Sequence, residues 1–149
     1  MIASFGISLI FYFIFKSLPC ALLCLLTGIL VDIDHLFEYI KGVGWHLNLK
    51  HFFKFCYEAK YERLYIFLHA YEYFFLIALI IVISDFNHLA LAVGIGYIQH
   101  LIFDQVVNPV KPMTYFIFYR LKNRFIKQNL FKDGFLDSSP HKSHNPAEE

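Results

Sequence analysis

The stretch HLALAVGIGYIQHLIFDQVVNP, residues 88–109, decides how this chain is read. Up to Val107 it is about 20 residues of apolar sequence, the length an α-helix needs to cross a hydrocarbon core of about 30 Å. Asn108-Pro109 closes it. His100 and Asp104 sit in its last turns, four apart and therefore on one helix face. Ionisable groups inside an apolar, membrane-length run are expensive and are read by default as functional and as facing one another.

Working outward, two further clusters share this character. Asp32, Asp34 and His35 lie in GILVDIDHLFEY, and His69 and Glu72 in YIFLHAYEYFFLIALIIVI. The frame around them is apolar. The 149 residues are 58% hydrophobic, 19% aromatic and only 17% charged, too few charges to cover a soluble surface. The net charge of +1 gives no bulk attraction to nucleic acid, which is not expected as a partner. The three cysteines form no disulfide framework and no CxxC pair, so they are expected to pack as small hydrophobes. The N-terminus has no basic stretch and no small-residue cleavage site, so no cleaved signal peptide is expected.

The expected fold class is all-α. It is an integral membrane bundle of about four segments, plus a basic amphipathic helix near the C-terminus. The first two segments, residues 2–15 and 20–31, are short and separated by Pro19, so either two spans or a re-entrant hairpin fits. The third covers residues 64–84 and the fourth 88–107. Residues 41–63 read as a polar, aromatic linker with Gly42 and Gly44 as breakers and Trp45 as an interfacial anchor. Residues 113–131 carry Arg120, Lys122, Arg124 and Lys127 among aromatics and are expected to lie on the membrane surface, with the two arginines on lipid headgroups. Residues 1–131 thus form one membrane-embedded domain, and 132–149 a polar, disordered tail.

With four crossings, 12 of the 13 Lys and Arg residues fall on one side. The positive-inside rule then puts both termini of this multi-pass chain, and the 41–63 linker, in the cytoplasm. That topology brings all three polar clusters to one depth, near the cytoplasmic leaflet. Gly96, four before His100, would let a neighbouring helix approach closely. Interhelical hydrogen bonding is the plainer explanation of each cluster alone. Magnitudes favour a cation: an acid at mid-membrane costs about 2.5–3.5 kcal/mol, and a structural zinc can return about 10–16 kcal/mol.

Asp32, His35, His69, His100 and Asp104 are the expected ligands of one or two divalent ions. Zinc is the first choice, with manganese or iron as alternatives. Glu72 and Asp34 are the expected catalytic acid/base groups. His46 and His51 are read as solvated linker residues, and His88, His141 and His144 as uninvolved.

The order D-x-D-H, then L-H-A-x-E opening a hydrophobic helix, then G-Y-x-x-H-x-x-x-D-Q, resembles the bacterial membrane-bound metal-dependent hydrolases over residues 22–120. Val31 stands where that pattern has proline. The resemblance implies a multi-helix inner-membrane protein with ligands from Asp32, Asp34, His35, His69, His100 and Asp104. The expected activity is hydrolysis of an amphiphilic ester or phosphoester, lipid-like, at the cytoplasmic leaflet, with membrane lipids as partners. A metal would bring the pKa of a bound water to about 7. A non-catalytic metal-binding membrane protein is the alternative. A metal or proton transporter ranks third, because residues 74–83 and 89–95 carry no charge that could line a route across the outer half.

Overall fold

A computed structural model describes residues 2–45, 48–59 and 61–138. Its described residues are helical, with two isolated antiparallel bridges, Arg63 to Ile126 and Val110 to Phe131. The helices are α1 (Ile2–Phe15), α2 (Leu18–Leu30), α3 (Ile33–Val43), α4 (Leu49–Tyr57), α5 (Glu72–Ile83) and α6 (His88–Val107), followed by the short α7 (Ile117–Lys122), α8 (Lys127–Leu130) and α9 (Phe135–Ser138).

Pro19 lies in the first turn of α2, where a missing N–H costs nothing, and Ser17 caps that turn by accepting from Cys20 N–H. The reversal between α1 and α2 falls at Lys16, with φ of 49°. Helices α2 and α3 are separated by a single turn. Among the described residues, Leu18–Val43 together and His88–Val107 are the two stretches long and apolar enough to cross a membrane. The second segment is therefore longer than expected, and the linker begins later than residue 41. Gly42 is helical, packed under the Phe55 ring, and Gly44, with φ of 94°, ends the helix. Within the linker Leu49–Tyr57 folds as α4, while Trp45 stays exposed.

Helix α6 packs on α2, α1 and α5. Glycine makes the α2–α6 contact possible: a Cβ on Gly96 would collide with the Cys24 carbonyl, and one on Gly28 with the Gln99 amide and Ser4 hydroxyl. Cys20 and Cys24 pack with Phe11 and Ala92 in this interface, as the sequence suggests. Between α1 and α6, Gln99 Nε2 donates to Ser4 Oγ at 2.8 Å. Helix α5 is the opposite case. It is apolar all round and has no buried residue.

Two segments differ from expectation. The third helix is only Glu72–Ile83, and residues 64–71 before it are irregular backbone. The C-terminal region is not one amphipathic surface helix. It breaks into α7 and α8, which fold back against the irregular segment: Leu64 N–H donates to Phe125 O at 2.8 Å. A second core forms there from Leu64, Ile66, Val110, Tyr115, Leu130 and Phe131. Phe135 stacks on Phe131 and Leu136 joins the same core, so packing runs past residue 131, where the domain was expected to end. The remainder of the expected tail, 139–149, lies outside the described residues, as does His46.

Candidate metal centre

The irregular backbone of residues 64–71 is held by side chains from three helices. Glu38 of α3 accepts from Tyr65 N–H, and Asp34, one turn earlier, accepts from Leu68 N–H at 2.9 Å. Tyr97 of α6 accepts from Ala70 N–H at 3.2 Å and donates to Leu68 O at 2.7 Å. Arg120 of α7, 0% exposed, donates to Ile66 O and, at 2.9 Å, to His69 O. Buried non-helical backbone survives when each polar group finds a partner, and here side chains supply them. Arg120 is thus a buried clamp and not a headgroup anchor. Burial pulls its guanidinium pKa below the usual range, while the nearby Asp34 and Glu72 oppose that fall. Arg124 is exposed.

This loop delivers His69, fully buried, into the gap between α3 and α6. Its Nδ1 lies 3.1 and 3.2 Å from the two carboxylate oxygens of Asp34. A carboxylate only accepts, so Nδ1 carries the proton and Nε2 points away from Asp34. Tyr115 stacks on the other face of the ring, with centroids 5.9 Å apart.

His100 is oriented the same way by a different device. At the α2–α3 turn, Asp32 N–H bonds back to Ile29 O rather than continuing the ladder to Gly28 O. The Gly28 carbonyl is left for His100 Nδ1, at 2.7 Å. The close approach at Gly28 and Gly96 brings donor and acceptor together. His100 Nδ1 therefore also carries its proton, and Nε2 faces inward.

Four atoms now converge. His69 Nε2 lies 3.1 Å from His100 Nε2, 3.7 Å from Asp32 Oδ1 and 3.2 Å from Asp104 Oδ2. His100 Nε2 lies 3.4 Å from Asp32 Oδ1 and 3.6 Å from Asp104 Oδ2. In a tetrahedral site with ligand bonds of roughly 2.0–2.1 Å, the ligand–ligand edges are roughly 3.3–3.4 Å. The five distances straddle that value. With neutral rings all four atoms are acceptors facing one another with no donor among them, an arrangement a cation resolves. His35 borders the same point, its ring 4.9 Å from that of His69 and its Nδ1 buried without a partner. Ligand atoms of Asp32, His35, His69 and Asp104 lie within 4.8 Å of one another, so this group can hold a metal ion.

All five residues expected as ligands meet here. The two expected as acid/base groups do not face the gap. Asp34 sits behind His69. Glu72, at the start of α5, accepts from Phe118 N–H at 3.3 Å, because His69 precedes the helix and the two residues share no helical face. His51 bonds the Tyr39 hydroxyl at 3.0 Å, and His88 packs on Phe15 at the far end of α6. Sequence reading missed Glu38, Tyr97, Tyr115 and the clamp role of Arg120. For Glu38 a signal existed: it follows Asp34 by four on the same face of α3.

The centre is open on one side. The Asp32 side chain is 41% exposed. A cavity of about 580 Å³ between α1, α4 and α6 has Asp32, His100 and Asp104 in its wall. No family model, curated protein or solved structure matches the chain.

Proposed function

We propose that this chain is a multi-pass inner-membrane protein, with both termini cytoplasmic, that holds a divalent cation and hydrolyses an ester or phosphoester at the cytoplasmic leaflet. The observation that carries the proposal is the convergence of His69 Nε2, His100 Nε2, Asp32 Oδ1 and Asp104 Oδ2, four acceptors when both rings are neutral. The unburied apolar α5 supports the membrane setting. Imidazole with carboxylate suits zinc first, then manganese or iron. The likeness to membrane-bound metal-dependent hydrolases points the same way.

His69, His100 and Asp104 would hold the ion from the buried side, with His35 as a further donor. Such an ion would supply Lewis acidity and lower the pKa of water to about 7. The chain's own groups do the rest. Asp34 and the Gly28 carbonyl keep both imidazoles in the tautomer that presents Nε2. Asp32, the most exposed carboxylate of the set, would keep Oδ1 on the ion and use Oδ2, in place of Asp34 and Glu72, to take the proton from water. In the reaction the water oxygen bonds to the acyl carbon or phosphorus, the ester bond breaks, and the departing alkoxide takes the proton. An open side at Asp32 favours this over a closed, purely structural site.

The test is elemental analysis of protein purified without chelators, paired with hydrolysis assays on esters and phosphoesters. Wild type is expected to carry about one or two ions per chain, and His69→Ala and His100→Ala to lose both metal and activity. Unchanged metal content and hydrolysis in both variants would refute the proposal.

A further inference from the structure

We propose that the aromatic cavity on the His35 side of the metal centre seats the acyl chain of an amphiphilic ester, which would set the substrate class. This rests on the hydrolase reading above. The cavity encloses about 640 Å³, inside the roughly 300–1,000 Å³ of small-molecule sites. Its wall comes from separate parts of the chain and includes Tyr61, Leu64, Ile66, Val110 and Phe131, with Lys54 and Asn108 as polar members. Leu64 and Ile66 are each 1% exposed.

Two features give the cavity a direction. His35, whose Nδ1 is buried without a partner, is the member of the cation cluster in its wall. Phe53 and Val107 line both this cavity and the one bordered by Asp32, His100 and Asp104. The cluster therefore stands between two adjoining cavities, with His35 in the wall of one and Asp32, His100 and Asp104 in the wall of the other. An ester group at the cation with its chain in the aromatic chamber satisfies both.

The rim indicates how such a molecule arrives. Val107 is 69% exposed and continues the exposed apolar row of Phe103 and Val106 on α6, so the chamber borders the face offered to lipid. A flexible chain can pass from bilayer to chamber along that row without crossing water.

The experiment uses the full-length, metal-loaded protein in lipid nanodiscs and a twelve-carbon methyl ester bearing a diazirine at the chain end. After irradiation, labelled residues are mapped by mass spectrometry. Label is expected on Leu64, Ile66 or Phe131, which a bilayer chain cannot reach from outside, and unlabelled dodecanoyl ester should compete it away. Cys56→Trp, which puts a ring into the chamber, is expected to cut that internal label at least tenfold while leaving metal content and label on α5 unchanged. Val110→Phe narrows the chamber from another wall and serves if the first variant fails to fold. Label confined to α5 and Val106, or internal label indifferent to both variants, would overturn the proposal. A second arm compares kcat/KM for esters from two to twelve carbons, where each buried methylene should add about fourfold. Hydrolysis indifferent to chain length would remove the acyl seat and leave the hydrolase reading standing. Internal label without hydrolysis of any ester would do the reverse.

Discussion

Asp34→Asn isolates the idea that Asp34 positions His69 rather than binding the ion. In the native arrangement Asp34 accepts from Leu68 N–H at 2.9 Å, and its two oxygens lie 3.1 and 3.2 Å from His69 Nδ1. Asparagine has nearly the same shape but one accepting oxygen. It can keep the Leu68 bond and so keep the loop. The His69 Nδ1–H then faces an amide NH₂, a donor against a donor, and the ring loses the charge that favours Nε2 as a ligand. Removing such a carboxylate partner typically costs about 10–100-fold in metal affinity, or about 1.4–2.7 kcal/mol. The assay is competition for zinc against a chromophoric chelator, in detergent or nanodiscs, with thermal melts of the metal-free forms as a fold control. Asp34→Asn should fall within that range, and His69→Ala should fall well below it. Wild-type affinity in Asp34→Asn would refute the positioning role. A loss equal to that of His69→Ala would make Asp34 a ligand.

The remaining predictions concern the supports around the centre. Gly96→Ala drives a methyl into the Cys24 carbonyl, so it should destabilise by about 1–3 kcal/mol and weaken metal binding through the displaced Gly28 carbonyl; Gly6→Ala, with nothing near its added methyl, should do neither. Arg120→Met removes two charge-assisted hydrogen bonds to loop carbonyls, each worth about 1.5–3 kcal/mol, and should lower the melting temperature and metal occupancy together, with Arg120→Lys failing to restore both. Burial, with the charges of Glu38 and Asp32 adding to it, pushes the Cys56 thiol up to about 12. Its alkylation rate, followed by peptide mass spectrometry, should therefore climb about tenfold per pH unit from pH 7 to 10. A plateau near pH 8.5 would show an ordinary thiol there.

The meeting of Asp32, His69, His100 and Asp104 was legible because each interrupts an apolar run, where a charged group has no cheap alternative to a partner. The stretch around His69 was not legible as a loop. Residues 64–83 contain no glycine or proline, and local propensity reads them as one helix. What unwinds the first eight is tertiary: Glu38, Asp34, Tyr97 and Arg120 take over their backbone groups. Arg120 was misleading for a related reason. Its neighbours Lys122, Arg124 and Lys127 make the segment look like a basic surface helix. The chain turns at Arg124 and Phe125, both at positive φ, and the carbonyl of Phe125 is bonded to the loop's Leu64 N–H. The roles of Asp34 and Glu72 depended on where helices start, which pattern reading places least well.

X-ray absorption at the metal edge, on protein loaded with one equivalent of zinc, tests the central claim most directly. The account predicts a first shell of nitrogen and oxygen at about 2.0–2.1 Å with the multiple scattering of imidazole rings, reduced by one ring in His100→Ala. A sulfur shell at about 2.3 Å, or a fully hydrated ion with no imidazole signal, would contradict it.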